Sequence, residues 1–469
     1  MPRTNKTPND LLSHWMARSG ISNAELARAV TRRARTAGLR GVCPSEGRVR
    51  AWRQGETPRH PVPQLIADHL RHTLGIHLTC ADIAMPGTVA APAGPDLPWE
   101  PRSTIAVVDH LTRSELMDPH TRHTNDAHTL HTGSELLTPL QQWAVATPST
   151  LAKRGAGRIG MSDVAAIREL TGMFRDADNR HGGILSRKAV IAQMQDANTL
   201  LNTATYTETT GRALFAAVAD LGSVAAWMAF DSGQHRTAQK IFIIALHAAG
   251  EAGDKVLGAH ILQCMARQMS HLNHYDDALD LVALAQYGAR RQATWATRSM
   301  LTALDARFQA IVGQLDASER AAGQAEEHFA RATLANEPPH MAFFDEAELS
   351  ATLGVAHQIA AKHDTAISRT RRAERSLQLL GRALELRPAH RVRSTAFDHL
   401  GIARTHLAVG ELAGAYQETR RALDLFATIG STRVSDRLGE LHDEAAPYAS
   451  SQQAAALREE IKEAVTAAA

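Results

Sequence analysis

At 469 residues, the chain is long enough for about three average domains or for one elongated repeat array, and its 4 % aromatic content with abundant alanine favours packed helices over sheets. No window approaches the roughly eighteen apolar residues of a membrane helix, and the first residues lack the apolar core of a signal peptide, so we exclude a membrane protein and expect the chain in the cytoplasm. Its three cysteines, Cys43, Cys80 and Cys264, are odd in number and too far apart for a thiolate zinc motif, so we expect them to be reduced.

Positive charge is concentrated at the start of the chain. Residues 1–85 contain thirteen arginines and lysines against six acids, a net charge of +7, which leaves −5 for the rest of a chain whose total is +2. A basic segment ahead of a mildly acidic body is typical of a nucleic-acid-binding head on a separate body, although a solvated basic surface gives the same count.

Four short helices are predicted between residues 9 and 75. The second begins at Ser22-Asn-Ala-Glu25, a capping box in which both side chains satisfy free backbone amides. The third runs from about Ser45 to Gln54, where Gly55 ends it, and Val49 and Trp52, three positions apart, should face the core. The head domain is therefore predicted at residues 1–84.

A proline-rich linker is predicted at residues 85–104, because five prolines between Pro86 and Pro101 cannot sustain a helix and should form a semi-stiff spacer. Residues 105–160 form a poorly defined connecting region, with a loop near Lys153–Gly160. Residues 161–465 read as continuously helical.

A repeat emerges in that helical region. Small residues recur with the second-helix spacing of a tetratricopeptide repeat, and the anchors are 40 to 49 residues apart at Gly233, Asn273, Gly313, Ala361 and Gly410. This is longer than the usual period of about 34, so we expect helical hairpins with extended loops or longer helices. Stacked hairpins would form an α-solenoid with a concave face, and the alternative is a generic alanine-rich helical bundle.

The head resembles the helix-turn-helix of phage repressors and Xre-type regulators. The resemblance lies in Ile21–Val30, with its Ala-Glu-Leu-Ala helix, and in Val49–Pro58, with two core residues three apart and a terminal glycine. The sequence departs from the family by inserting about ten residues between the two helices. The resemblance implies that the third helix lies in the DNA major groove, while a protein-docking helical head is the alternative.

With Val49 and Trp52 facing inward, other residues of the third helix are left to face DNA. Glu46, Arg48 and Arg50 are the candidates for reading bases, since arginine can hold guanine and glutamate can accept from cytosine, and Ser45 lies beside them. The predicted phosphate contacts are Asn23, Arg32, Arg33, Arg35, Arg53 and Arg59. Each could instead be a solvated surface group.

The repeat's inward positions, carried onto the first helix of each hairpin, predict a ligand-binding groove. The residues at these positions are Asp220, Trp227, His260, Gln263, Arg267, Arg307, Glu348, Gln358 and Arg404. A groove that mixes arginines, carboxylates and one tryptophan suits a peptide or small polar ligand.

Two His-x-x-His pairs, His120 with His123 and His128 with His131, could share a metal on a helix, but the segment is otherwise loop-like and we favour a polar surface stretch. We find no phosphate-binding loop, nucleophile elbow or Cys/His constellation. The sequence therefore predicts neither a metal nor a cofactor, and not an enzyme.

The whole chain resembles two related groups: the peptide-sensing regulators of Gram-positive bacteria and the actinobacterial regulators of development and secondary metabolism. The resemblance implies an all-α transcriptional regulator, homodimeric on a double-stranded inverted-repeat operator. A peptide or small-molecule effector in the superhelix would change the distance between the two heads. The alternative is a scaffold whose repeats bind another protein and whose head does not read DNA.

Overall fold

The computed structural model describes two compact units, Met1–Pro92 and Ala93–Ala469. The described residues are 8–36, 39, 41–59, 61–74, 80–85, 95–117, 130–148, 155, 157–181, 187–429 and 431–468. Over these residues the chain is all-α, and the only extended pairing is an isolated bridge between Arg158 and Thr205. The predicted fold class is confirmed: the helices pack as a helical repeat solenoid.

Four helices and one 3₁₀ turn form the first unit: α1 (Asp10–Arg18), α2 (Asn23–Thr36), α3 (Glu46–Arg53), α4 (Val62–Leu74) and the turn Ala81–Ile83. The predicted capping box is present, because the Ser22 amide donates to Glu25 Oε2 at 2.8 Å and the Glu25 amide donates to Ser22 Oγ at 3.2 Å. Val49 and Trp52 are both buried in one core with residues of α1, α2 and α4, as predicted.

The second unit contains the remaining helices. In chain order they are α5 (Pro101–Met117), α6 (Gly133–Leu140), α7 (Gln142–Val145), α8 (Met161–His181), α9 (Arg187–Thr203), α10 (Glu208–Asp231), α11 (His235–Ala252), α12 (Lys255–His271), α13 (Tyr275–Ala289), α14 (Trp295–Ile311), α15 (Leu315–Phe329), α16 (Glu346–His363), α17 (Ala366–Leu386), α18 (Val392–Ala408), α19 (Leu412–Phe426), α20 (Thr432–Glu444) and α21 (Gln452–Ala468). From α10 onward they pair as consecutive antiparallel hairpins, and each first helix also packs against the first helix of the next hairpin.

Most of the predicted anchors lie at hairpin turns. Gly233, Asn273, Gly313 and Gly410 each follow the first helix of a hairpin and have positive φ angles between 66° and 79°. A left-handed residue at this place ends one helix and lets the chain reverse direction at once, which glycine and asparagine tolerate best.

The anchor at Ala361 is wrong. Ala361 is buried inside α16, and the hairpin turns instead at Asp364, after His363. The extra length of this repeat comes from the segment before α16, where two 3₁₀ turns, Leu334–Asn336 and Pro339–Met341, precede the helix.

The predicted linker is too long. Residues 86–94 lie outside the described residues, but from residue 95 the chain belongs to the second unit: Leu97 is buried, the Trp99 ring stacks on His247 at 3.8 Å, and α5 begins at Pro101. Proline is tolerated there because the first turn of a helix needs no amide donor. The predicted connecting region 105–160 likewise contains most of α5 and all of α6 and α7.

Helix α10 corrects the expectation that no segment is apolar enough to cross a membrane. By length and composition it passes that test, with a mean hydropathy of 1.7, but 89 % of the apolar window is buried inside the second unit. It packs against α8, α9, α11 and α12, so its apolar character is that of a central core helix.

The last hairpins return to the first helices of the unit. Arg393, at the start of α18, donates to Asp178 of α8 at 2.9 Å and to Asp231 of α10 at 2.8 Å. Asp231 also accepts from Ser431 Oγ, just before α20, at 2.9 Å. We call Asp178, Asp231, Arg393, Ser431 and Arg433 the latch. The latch joins α18 and the start of α20 to α8 and α10. The first helices of the hairpins thereby surround a cavity.

Candidate functional site

The exposed face of α3 is the first candidate site. Burial of Val49 and Trp52 fixes the rotation of the helix, so that Glu46, Arg48 and Arg50 point to solvent. The side chains of Arg48 and Arg50 are 56 % and 66 % exposed. The predicted base-reading residues are therefore all accessible, with Glu46 and Arg50 one turn apart on the same side of α3.

Their ion pairs leave these arginines available. Arg48 pairs with Glu56 at 2.6 Å and Arg50 with Glu46 at 3.7 Å, and such exposed pairs contribute little and exchange readily for another anion. Ser45 caps α3, since its Oγ accepts from the Arg48 amide, which places Ser45 at the N-terminal end of the helix.

Two predicted phosphate contacts bind each other instead. Arg53 is half-buried and donates to Ser13 Oγ at 3.1 Å and to Asn23 Oδ1 at 3.2 Å, so it joins α1, α2 and α3. Both Arg53 and Asn23 therefore position α3 in this structure. Of the other predicted contacts, Arg32, Arg35 and Arg59 are exposed and Arg33 is half-buried.

The second candidate site is a cavity of about 480 Å³ inside the second unit. It is lined by the first helices of the hairpins, α10, α12, α14, α16 and α18, together with α8 and α20. All but one of the nine predicted ligand-binding residues line it: Trp227, His260, Gln263, Arg267, Arg307, Glu348, Gln358 and Arg404. Since one face of each first helix was predicted to face inward, the register of that prediction agrees with the structure.

Asp220 is the exception, because it does not line the cavity. Its carboxylate forms an ion pair with Arg175 of α8, which does line it. Asp220 thus positions Arg175 without lining the cavity itself.

The contributions of α8 and α20 to the cavity were not predicted from the sequence. Arg175 and Asp178 come from α8, and Arg433 and Arg437 come from α20. Arginines four positions apart share a helix face, so recognising α20–α21 as one more hairpin would have found the second pair. The hairpin carries no small-residue anchor of the kind used to detect the others.

Most charges around the cavity are balanced by direct pairs. Glu348 accepts from Arg387 at 2.9 Å and from Arg267 at 3.2 Å, and Asp398 accepts from Arg387 at 2.8 Å. Burial alone would raise the pKa of Glu348, but Arg387 and Arg267 hold it below its usual range. Burial raises the pKa of Asp398 to about 6 despite its bonds to Arg387.

Cys264 and His260 lie side by side in the cavity wall, with Sγ and Nε2 3.9 Å apart. Burial raises the pKa of the Cys264 thiol to about 12 and lowers that of His260 well below its usual value. Both shifts oppose a thiolate–imidazolium pair, which is the reactive form of a cysteine nucleophile. All three cysteines are free thiols, as predicted.

The histidine pairs fall largely outside the described residues, which include only His131. Its backbone amide donates to Gln239 Oε1 at 2.9 Å, and its ring lies 3.8 Å from Glu135. Within the described part of the chain, no group of three or more His, Cys, Asp or Glu is placed to hold a metal.

The fold and the sites define an all-α repeat protein with a small basic head and a charged internal cavity. Residues 12–86 match the family model of the SP15 N-terminal domain. This match lies within the first unit, Met1–Pro92, and covers less than half of the chain. No curated protein matches the sequence.

Proposed function

We propose that the protein is a sequence-specific DNA-binding transcriptional regulator that acts in the cytoplasm as a homodimer. In this proposal α3 reads the major groove, and the cavity of the second unit binds the effector that controls the protein. The observation that carries the DNA-binding half is the exposed face of α3. There, Arg48 and Arg50 project from a helix whose other face is anchored by Val49 and Trp52.

The chemistry of that face fits base edges. An arginine can donate two hydrogen bonds to guanine, and the carboxylate of Glu46 can accept from cytosine. The exposed Arg32, Arg35 and Arg59 supply positive charge for phosphates, which sets the position of the protein on the duplex without reading sequence. The hydrogen bonds of the half-buried Arg53 to Ser13 and Asn23 also support this proposal, because a recognition helix must be held rigidly against its neighbours.

We expect Arg50→Ala to weaken binding to the selected operator by roughly tenfold to a hundredfold while leaving binding to random DNA nearly unchanged, because a bidentate base contact contributes about 1–3 kcal/mol of discrimination. Arg32→Ala should weaken both DNAs by a similar factor and make the dependence on salt less steep, as phosphate contacts do. The measurement is a gel shift at fixed salt with an operator selected from random DNA.

Arg320→Ala provides the matched control, since it removes the same charge from an exposed position on α15 of the second unit. Equal loss on both DNAs for Arg50→Ala would contradict base reading.

The rival function is a scaffold whose head docks on another protein. A head that makes no phosphate contacts releases no counterions from DNA. The rival function therefore predicts that any retention of the chain on a DNA column does not fall steeply with salt. Genome-wide recovery of bound DNA separates the two functions: enrichment of discrete sites supports the regulator, and random recovery supports the scaffold.

A further inference from the structure

Arg307 differs from every other cation around the cavity. It lies on α14 and lines the cavity, yet its guanidinium has no acidic partner among the described residues. Its Nε atom is fully buried and has no hydrogen-bond partner there. Leaving a buried donor or charge unpaired is costly, so such a group in a binding cavity is a candidate for pairing with a ligand.

The surrounding charges do not compensate for Arg307. Arg267 and Arg387 share Glu348 and Asp398, and the latch balances Arg393 and Arg433 with Asp178 and Asp231. On the remaining side three cations, Arg404, Arg437 and Lys362, share only Glu440 and Glu444. These pairs leave no carboxylate among the described residues for Arg307, whose own positive charge is therefore the one that they do not balance.

The same imbalance appears in the electrostatics of the arginine. Burial, followed by the positive charges of Arg437, Arg267, Arg433 and Arg404, lowers the pKa of Arg307 to about 9. The guanidinium still carries its proton at neutral pH, but in surroundings that favour an added negative charge.

A second buried donor faces the same cavity from the next first helix. Nε2 of Gln358, on α16, has no hydrogen-bond partner among the described residues although the side chain is only 1 % exposed. Helices α14 and α16 pack against each other, so the two donors come from neighbouring helices of the same cavity wall.

Apolar and aromatic side chains also line part of the cavity. Trp227, Phe308, Val355 and Phe397 line the cavity, and the guanidinium of Arg433 stacks 4.8 Å from the Trp227 ring centre and 5.1 Å from that of Phe397. A volume of about 480 Å³ lies within the range for small organic ligands and is much larger than a single ion requires.

We propose that the cavity binds a small organic acid, with its carboxylate or phosphate held by Arg307 and Gln358 and its apolar or aromatic body against Trp227 and Phe397. This inference rests on the proposed function, in which the cavity is the sensing site of a regulator. The acid supplies the anionic partner that Arg307 lacks among the described residues.

The test uses the full chain with four probes at matched ionic strength: inorganic phosphate, phenyl phosphate, phenylacetate and its neutral isostere phenylacetamide. Isothermal titration gives the affinities and thermal unfolding gives the midpoints. We expect at least one of the two aromatic acids to bind and to raise the midpoint, more strongly than inorganic phosphate, and phenylacetamide to do neither. Preference between phenyl phosphate and phenylacetate identifies the anion that the site favours.

Arg307→Met keeps the length of the side chain and removes its charge. We expect this variant to lose at least tenfold in affinity for the acid that binds, whereas Arg320→Met, on the exposed surface of α15, should bind as the unaltered chain does. Without any probe, Arg307→Met should unfold at the same temperature or a few degrees higher, because it removes an unpaired cation from among other cations. A purely structural arginine would give the opposite shift.

Equal response of the unaltered chain and Arg307→Met to the acids, or no response of the unaltered chain to either aromatic acid, would overturn the inference. Retention of the unliganded protein on DNA is measured separately. Acid binding without DNA retention would contradict the proposed regulator but support the acid site. DNA retention without acid binding would support the regulator but contradict the acid site.

Discussion

Replacing Asp231 with asparagine is expected to reduce the free energy of unfolding of the second unit by about 3–5 kcal/mol. Asp231 is fully buried at the end of α10, and its carboxylate accepts from Arg393, Ser431 and Arg433. Asparagine has nearly the same shape but no charge. The substitution therefore leaves two buried arginines with one carboxylate, Asp178, between them.

The position of the latch makes this effect more than local. Its three partners lie at the beginning of α18, just before α20 and within α20, so Asp231 joins the last hairpins to the central helix of the unit. We expect α18 and α20 to lose protection against hydrogen exchange before the central helices do, because local opening begins where few contacts remain.

Urea unfolding gives the stability change, and Asp424→Asn is the control. Asp424 is an exposed residue of α19, where the same substitution should change stability by less than about 0.5 kcal/mol. A loss at Asp231 no greater than that at Asp424 would show that the latch does not hold the hairpins together.

Replacing Trp143 with alanine is expected to cost about 3–5 kcal/mol, the usual range for removing a fully buried aromatic side chain. Trp143 is fully buried, although it comes from the four-residue helix α7. Lys255 Nζ donates to its backbone carbonyl and lies 4.9 Å from the ring centre. Lys255 of α12 therefore contacts both the backbone carbonyl and the ring face of Trp143.

Glycines make room for that indole. A Cβ atom at Gly258 of α12 or at Gly288 of α13 would overlap the Trp143 ring. We expect Gly258→Ala to destabilise the protein, even though alanine normally favours a helix over glycine by about 0.5–1 kcal/mol. Gly323→Ala, in α15, should instead stabilise it, because a Cβ atom there meets nothing within 4 Å.

Thermal and urea unfolding of the three variants test the contact. Stabilisation by Gly258→Ala would contradict close packing of the Trp143 ring against α12. A reduction in the free energy of unfolding below about 1 kcal/mol for Trp143→Ala would show that Trp143 does not anchor α7.

Local patterns in the sequence were enough to predict the helical class, the capping box at Ser22–Glu25, the buried pair Val49 and Trp52, and the inward faces of α10, α12, α14, α16 and α18. Each depends on residues within one or two helical turns, where 3.6-residue periodicity and cap chemistry act directly. The hairpin turn of α16 was misplaced because Ala361 continues the helix and no glycine marks the reversal at Asp364.

The segment after the proline-rich stretch was misread for a different reason. Residues 95–148 have weak local patterns, and their positions depend on distant partners, such as His247 for Trp99 and Gly258 for Trp143. Composition cannot distinguish such a packed segment from a spacer.

By itself the sequence determined which faces of the repeat helices turn inward, because helical periodicity is a local property. Only the tertiary structure decided which of the inward charges are paired. The pairs join residues as far apart as Asp178 and Arg393, which meet because the last hairpins return to the first helices. That closure pairs the neighbouring arginines with carboxylates and leaves Arg307 without an acidic partner among the described residues, and no local pattern along α14 distinguishes it from the paired arginines of α12 and α18.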